Sequence, residues 1–161
     1  MAEKPVLLDS ATPPLNSCAN RAIRRAARRM GQIYDDAFVS VGLRATQYSL
    51  LSQIVRSQGP TMRVLAREMV MDLSALGHTL KPLVRDGFVV LTVDPNDRRS
   101  KRVNLTEAGL RKYEEAYLIS KVVGEAFDTT FGIEEAVQVR AAMDRIASDE
   151  FLLLINAKLG F

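Results

Sequence analysis

Between Thr61 and Leu105 the spacing of apolar residues changes twice, and that change leaves few folds open. Thr61 can cap a short helix running to about Met69, and Asp72 can cap a second running to about Asp86. In the second, Leu76, Leu80, Leu83 and Val84 recur at spacings of three and four, which predicts a buried helical stripe. Gly87 stands where helices often end. Phe88 to Val93 is β-branched and aromatic, hence strand-like. Asp94-Pro95-Asn96-Asp97 places Asp and Pro at the first two positions of a type I turn, and Lys101 to Leu105 reads as the returning strand. Two helices joined by a tight turn and followed at once by a two-stranded hairpin make a winged helix-turn-helix.

The flanks are helical. From Ser17 to about Val39, Ala22, Ile23, Ala26, Ala27, Met30, Ile33, Tyr34, Ala37 and Phe38 recur at helical spacing. Leu43 to Arg56 predicts another helix, with Tyr48, Leu51 and Val55 on one side, and Gly59-Pro60 breaks the chain after it. Thr106 can cap a long helix whose apolar positions include Leu110, Tyr113, Tyr117, Val123, Phe127 and Phe131. Gly132 interrupts it, and Glu134 and Glu135 open a last helix, where the helix dipole favours acids. The expected fold class is mainly α, in the order helix, helix, short helix, helix, hairpin, long helix, helix.

The chain's chemistry is limited by what it carries. Its single cysteine, Cys18, and single histidine, His78, leave no disulfide framework and no metal-ligand set within one chain. No nucleophile elbow, phosphate loop or metal-binding spacing is present, which argues against a hydrolase or transferase. No secretory signal or membrane-length apolar run is seen, so a cytoplasmic protein without a membrane partner, a cofactor or a metal is expected. Charge is uneven. Residues 1–60 carry eight Lys/Arg against four acids, residues 61–105 eight against five, and residues 106–161 six against ten. The basic segments suit a polyanion, although a net charge of +3 is also common in proteins that bind none.

Opposite the apolar stripe, the second helix of the motif presents Ser74, Ala75, Gly77, His78, Lys81 and Arg85. A helix resting its stripe on a small core can offer such a face to the major groove. The hairpin tip holds Arg98, Arg99, Lys101 and Arg102, four cations within five residues, suited to phosphates or to a narrow minor groove. Arg63 and Arg67 lie on the short helix that would cross the DNA backbone. The plainer readings are a solvated hairpin tip and solvated helix charges.

Leu65-Ala66-Arg67-Glu68, Asp72-Leu73-Ser74-Ala75-Leu76, Leu83-Val84-Arg85-Asp86-Gly87-Phe88-Val89, and above all Asp94-Pro95-Asn96-Asp97-Arg98-Arg99 followed by Val103-Asn104-Leu105-Thr106-Glu107-Ala108-Gly109, resemble the MarR (multiple antibiotic resistance regulator) family. Leu43 to Gly59 matches the helix before the motif. The resemblance implies a homodimeric transcription regulator with one winged motif per half-site of a roughly palindromic operator. In most such proteins a small ligand, often an aromatic acid, releases a repressor from DNA. It implies that Asp97 braces the wing, that Arg98 and Arg99 make groove and phosphate contacts with Lys101 nearby, and that Ser74, Ala75 and His78 face bases. It divides a single domain, residues 1–161, into an arm (1–16), an N-terminal dimerisation helix (17–42), the winged lobe (43–105) and C-terminal dimerisation helices (106–161). Leu73 and Gly77-His78 depart from the family's usual polar residues, leaving a small, weakly polar base-reading face. Pro82 removes one helical hydrogen bond.

Three groups keep two readings. Tyr34, Phe38 and Tyr48 suit an aromatic-ligand pocket or plain core. Arg24 and Arg28, with Arg21, Arg25 and Arg29, suit an anionic ligand or pairing with Glu134, Glu135, Asp144 or Asp149 across a dimer. Cys18 suits an oxidant sensor, as in some family members, or inert packing. A winged module that binds protein is the remaining alternative, and the basic wing speaks against it.

Overall fold

The computed structural model describes residues 18–160, and the expected arm at 1–16 and helix start at Ser17 lie outside them. Helix α1 spans Ala19–Ala37 and runs into a short 3-10 turn, Phe38–Val41. Then come α2 (Ala45–Arg56), α3 (Met62–Glu68), α4 (Leu73–Arg85), β1 (Val89–Val93), β2 (Lys101–Leu105) and α5 (Glu107–Phe131). The chain's described part closes with α6 (Ile133–Ile146) and α7 (Asp149–Leu159). The predicted last helix is therefore two. Ser148 starts a new one, its hydroxyl accepting the Phe151 N–H at 3.2 Å. No helix among the described residues is long and apolar enough to cross a membrane.

The caps fall where side-chain chemistry places them. Thr61 accepts the Val64 N–H, Asp72 the Ala75 N–H at 2.7 Å, and Thr106 the Gly109 N–H at 3.0 Å. Each satisfies a donor that the first helical turn leaves without a backbone partner. Thr106 does more: its hydroxyl donates to the Gly87 carbonyl at 2.6 Å and its N–H to the Phe88 carbonyl at 3.0 Å. One residue thus ties the end of α4, the root of β1 and the start of α5.

The core is small and centred on the winged lobe, with Phe38 and Ala116 of α5 joining it from the flanking segments. Leu65 of α3 and Leu76, Leu80 and Leu83 of α4 pack with Leu50, Leu51 and Ile54 of α2 and with Val89 and Val103 of the hairpin. Fully burying one such side chain contributes about 1.5–3 kcal/mol, so the leucine stripe of α4 dominates its attachment. Two sequence expectations shift. Val84 ends the stripe 39% exposed. In α2 the buried positions are Leu50, Leu51 and Ile54, with Tyr48 and Val55 only half-buried.

The strands pair antiparallel, Val89 opposite Leu105 through Val93 opposite Lys101. A bridge between Thr61 and Arg102, with Val103 N–H donating to Pro60 O at 2.9 Å, attaches the hairpin to the α2–α3 loop. At the α5 end the approach is tight. A Cβ on Gly109, which is buried, would overlap the Phe88 carbonyl oxygen. Gly109→Ala should therefore lower stability by about 3 kcal/mol, read from chemical denaturation at fixed protein concentration; a change under about 1 kcal/mol would show that this junction yields easily.

Candidate nucleic-acid interface

Helix α4 holds its outward face by burying the opposite one. With Leu76, Leu80 and Leu83 in the core, Ser74, His78, Lys81 and Arg85 follow at spacings of four, three and four along the exposed side. Ala75 is half-buried beside them and its N–H is taken by the Asp72 cap. Arg85 is not free, because it pairs with Asp86 at 2.8 Å. That hydrogen bond raises the Arg85 pKa and holds the Asp86 carboxyl below the usual range. The helix continues through Pro82 to Arg85 without a break. On α3, Arg63 and Arg67 are both exposed.

Two positions hold α3 and its following turn in place. Glu68, at the end of α3, accepts from Ser57 Oγ at 2.6 Å and from Gln53 Nε2 at 2.9 Å. Those bonds keep its pKa low, so the link to α2 persists until acid protonates the carboxylate. The turn that follows runs through Val70 at φ 51°. Met71 N–H bonds back to Ala66 O at 2.8 Å and Val70 N–H to Arg67 O at 3.0 Å, the paired closure that usually places glycine where Val70 stands.

The wing differs in detail from expectation. The closed turn lies at Asp97–Ser100, with Ser100 N–H donating to Asp97 O at 2.9 Å, not at Asp94–Asp97. Asp94 instead uses its side chain, Oδ1 accepting from Asn96 N–H at 2.8 Å. Asp97 accepts the Arg99 N–H at 3.0 Å, which shapes the tip. The brace at the wing's root is Asp94, almost fully buried, paired with Arg102. Arg98, Arg99 and Lys101 are exposed and make no ion pair among the described residues.

A second feature lies between α1, α2 and the α3–α4 turn. It is a mostly apolar cavity of about 470 Å³, lined in part by Met30, Tyr34, Tyr48, Leu50, Met69 and Met71. Two of the predicted ligand residues, Tyr34 and Tyr48, line it. Phe38 does not, because its ring is fully buried, 4.8 Å from that of Tyr48. Arg24 and Arg28 do not line it either; they lie on the exposed side of α1. Burial raises the Tyr48 pKa, with Ser120 partly offsetting it, so the phenol stays neutral. Cys18 is exposed at the start of α1 and lies outside this cavity. Residue spacing exposed the tyrosines but not Met69 and Met71, which enter the cavity only because the turn at Val70 folds back.

The chain is similar in sequence and in fold to known transcription regulators. The sequence model of the MarR family matches residues 41–100. The transcriptional activatory protein BadR of Rhodopseudomonas palustris is 29% identical over 120 residues, 71% of this chain and 69% of that protein. The Mycobacterium tuberculosis transcriptional regulator MosR, solved in complex with DNA, is 31% identical. Its match covers 81% of this chain and 94% of that one, with a TM-score of 0.73. CouR from Rhodococcus jostii, solved with p-coumaroyl-CoA, is 26% identical, covering 86% and 97%, with a TM-score of 0.73.

The Val70 turn is directly testable. A β-branched residue in the left-handed region costs about 1–3 kcal/mol, while glycine adds under about 1 kcal/mol of unfolded-state entropy. Val70 is 69% exposed, so little burial is lost on its removal. Strain relief therefore wins: Val70→Gly should raise the unfolding free energy by about 1 kcal/mol, measured at fixed protein concentration, and a loss would show the turn unstrained.

Proposed function

The chain belongs to the MarR family of DNA-binding transcription regulators, and from that premise we propose that it works as a homodimeric repressor, set on a roughly palindromic operator and released by a small aromatic ligand. The observation that carries DNA binding in this reading is α4. Its leucine stripe is locked in the core, its opposite face is exposed, and a hairpin with an exposed cationic tip follows directly. In this reading Ser74, Ala75 and His78 face base edges in the major groove, with Lys81 at the rim. Arg98 and Arg99 reach the adjacent minor groove and phosphates, Lys101 adds a phosphate contact, and Asp97 shapes the tip that carries them. Arg63 and Arg67 meet the backbone from α3. Ala75 offers only a methyl and Ser74 one hydroxyl, so base contacts are few, and phosphate contacts supply much of the affinity.

Surface chemistry supports the dimer. Helix α1 has no buried residue although its apolar positions follow the helical period. Ile133, Val137, Leu152, Leu153, Leu154 and Leu159 of α6 and α7 are each more than half exposed. An apolar surface of this extent on a lone chain calls for a partner, and a second copy presents the same helices. The division into an N-terminal dimerisation helix, a winged lobe and C-terminal dimerisation helices follows from it. Light scattering at micromolar concentration should give twice 17.9 kDa; a mass of one chain contradicts the dimer.

The cavity supports the effector. Its volume suits a small aromatic molecule, and its walls join α1 to Met69 and Met71, on either side of the turn that sets α4. A ligand that fits best when this turn has moved would shift α4 away from its DNA-bound position, since an effector acts through its differential affinity for two states.

The DNA reading is tested by salt. Using a duplex selected from a random pool, Arg98→Ala with Arg99→Ala should flatten the slope of log affinity against log salt by about two. It should also weaken binding strongly at low salt. Unchanged affinity and slope would remove the wing from the interface.

A further inference from the structure

The wing is anchored at its root by a cation that sequence alone counts among the DNA-binding charges. Arg102 Nε lies 2.8 Å from Asp94 Oδ2, and Arg102 Nη1 donates to the Gly59 carbonyl at 2.9 Å. The Asp94 side chain is only 5% exposed, and its other oxygen is held by Asn96 N–H. The Nε–H is buried and does not point along the carboxylate, so that contact is ionic, while the Gly59 bond is directional. Around the pair, Val103 N–H meets Pro60 O and Thr61 bridges Arg102, and Thr61 is the cap of α3. Arg102 also lines a groove together with Glu68, a second carboxylate, which is bonded to α2 through Gln53 and Ser57.

We infer that Arg102 is a positioning residue: with Asp94 it locks the wing's root to the α2–α3 loop, and discrimination between the operator and other DNA depends on that lock. A two-stranded hairpin is marginal by itself. Here its register against α3 is fixed by the loop at 59–61, and the guanidinium joins that loop to the wing through two different groups at once. A lysine could not do this, because a single ammonium lacks the fork. The charge of Arg102 is already matched by a buried carboxylate, unlike the exposed charges of Arg98, Arg99 and Lys101. The lock keeps the distance between the tip and the outward face of α4 constant. Non-specific binding, which is a sum of phosphate contacts, needs no such spacing.

The test uses the full chain and three variants, Asp94→Asn, Arg102→Gln and Arg102→Lys. Fluorescence anisotropy is read on the selected operator duplex and on an unrelated duplex across a salt series, well below each variant's unfolding midpoint. The lock predicts that all three lose operator affinity by roughly tenfold or more, the scale of a lost base-pair contact. Binding to the unrelated duplex should stay near wild type and the operator salt slope should not change. The Asp94→Asn, Arg102→Gln double variant should be no worse than the weaker single. A direct phosphate contact by Arg102 predicts opposite signs: Arg102→Gln flattens the slope by about one, and Asp94→Asn, which removes a negative charge, tightens binding to both duplexes. That outcome overturns the inference, as does operator affinity unchanged in all three. Arg102→Lys keeps the charge and guards against a variant that fails to fold; normal discrimination in it would also overturn the lock.

Discussion

The burial of Leu76, Leu80 and Leu83 is the constraint from which the rest follows. These three side chains fix the rotation of α4 about its own axis, and a helix so fixed can present only one outward face. Leu65 and Ile54 complete the seat from α3 and α2, and Val89 and Val103 bring the hairpin onto the same core. Because the core is small, the polar ties at its edges carry unusual weight. Thr106 knots three elements together, and the loop at 59–61 joins α3 to the wing.

Much of this was legible in the chain. The caps Thr61, Asp72 and Thr106 act as read, because capping is local chemistry that needs only a short polar side chain before a helical run. The leucine stripe follows from its spacing, and both strands follow from residue type and the turn between them. What was not legible depends on contacts distant in sequence or on conformations that the residue type disfavours. Val70 in a left-handed turn contradicts its own propensity. Arg102 is one of four clustered cations by sequence, and its contact with Gly59 spans 43 residues. Phe38 and Tyr48 are both aromatics at helical spacing, yet Phe38 is sealed in the core and Tyr48 reaches the cavity wall. The break at Ser148 hides inside a pattern that stays apolar on both sides.

In the function proposed above, recognition and response share structure. The same turn that carries Val70 sets the start of α4 and contributes Met69 and Met71 to the cavity. Methionine adapts its shape cheaply, so such a wall can follow different occupants. The other wall comes from α1, where no residue is fully buried within its own chain and Met30 and Tyr34 are half-buried. In the dimer proposed here the cavity therefore sits between a part held by the partner and a part that meets DNA. The arginines of α1 belong to neither the cavity nor the wing, and they stay exposed along its outer side.

Methylation interference on the operator reports whether α4 and the wing occupy neighbouring grooves of one duplex. Occupation of both grooves gives, in each half-site, interference at guanine N7 in the major groove beside interference at adenine N3 in the flanking minor groove, with the half-sites about one helical turn apart. Interference in neither groove, or in one groove with no two-fold repeat, would contradict it.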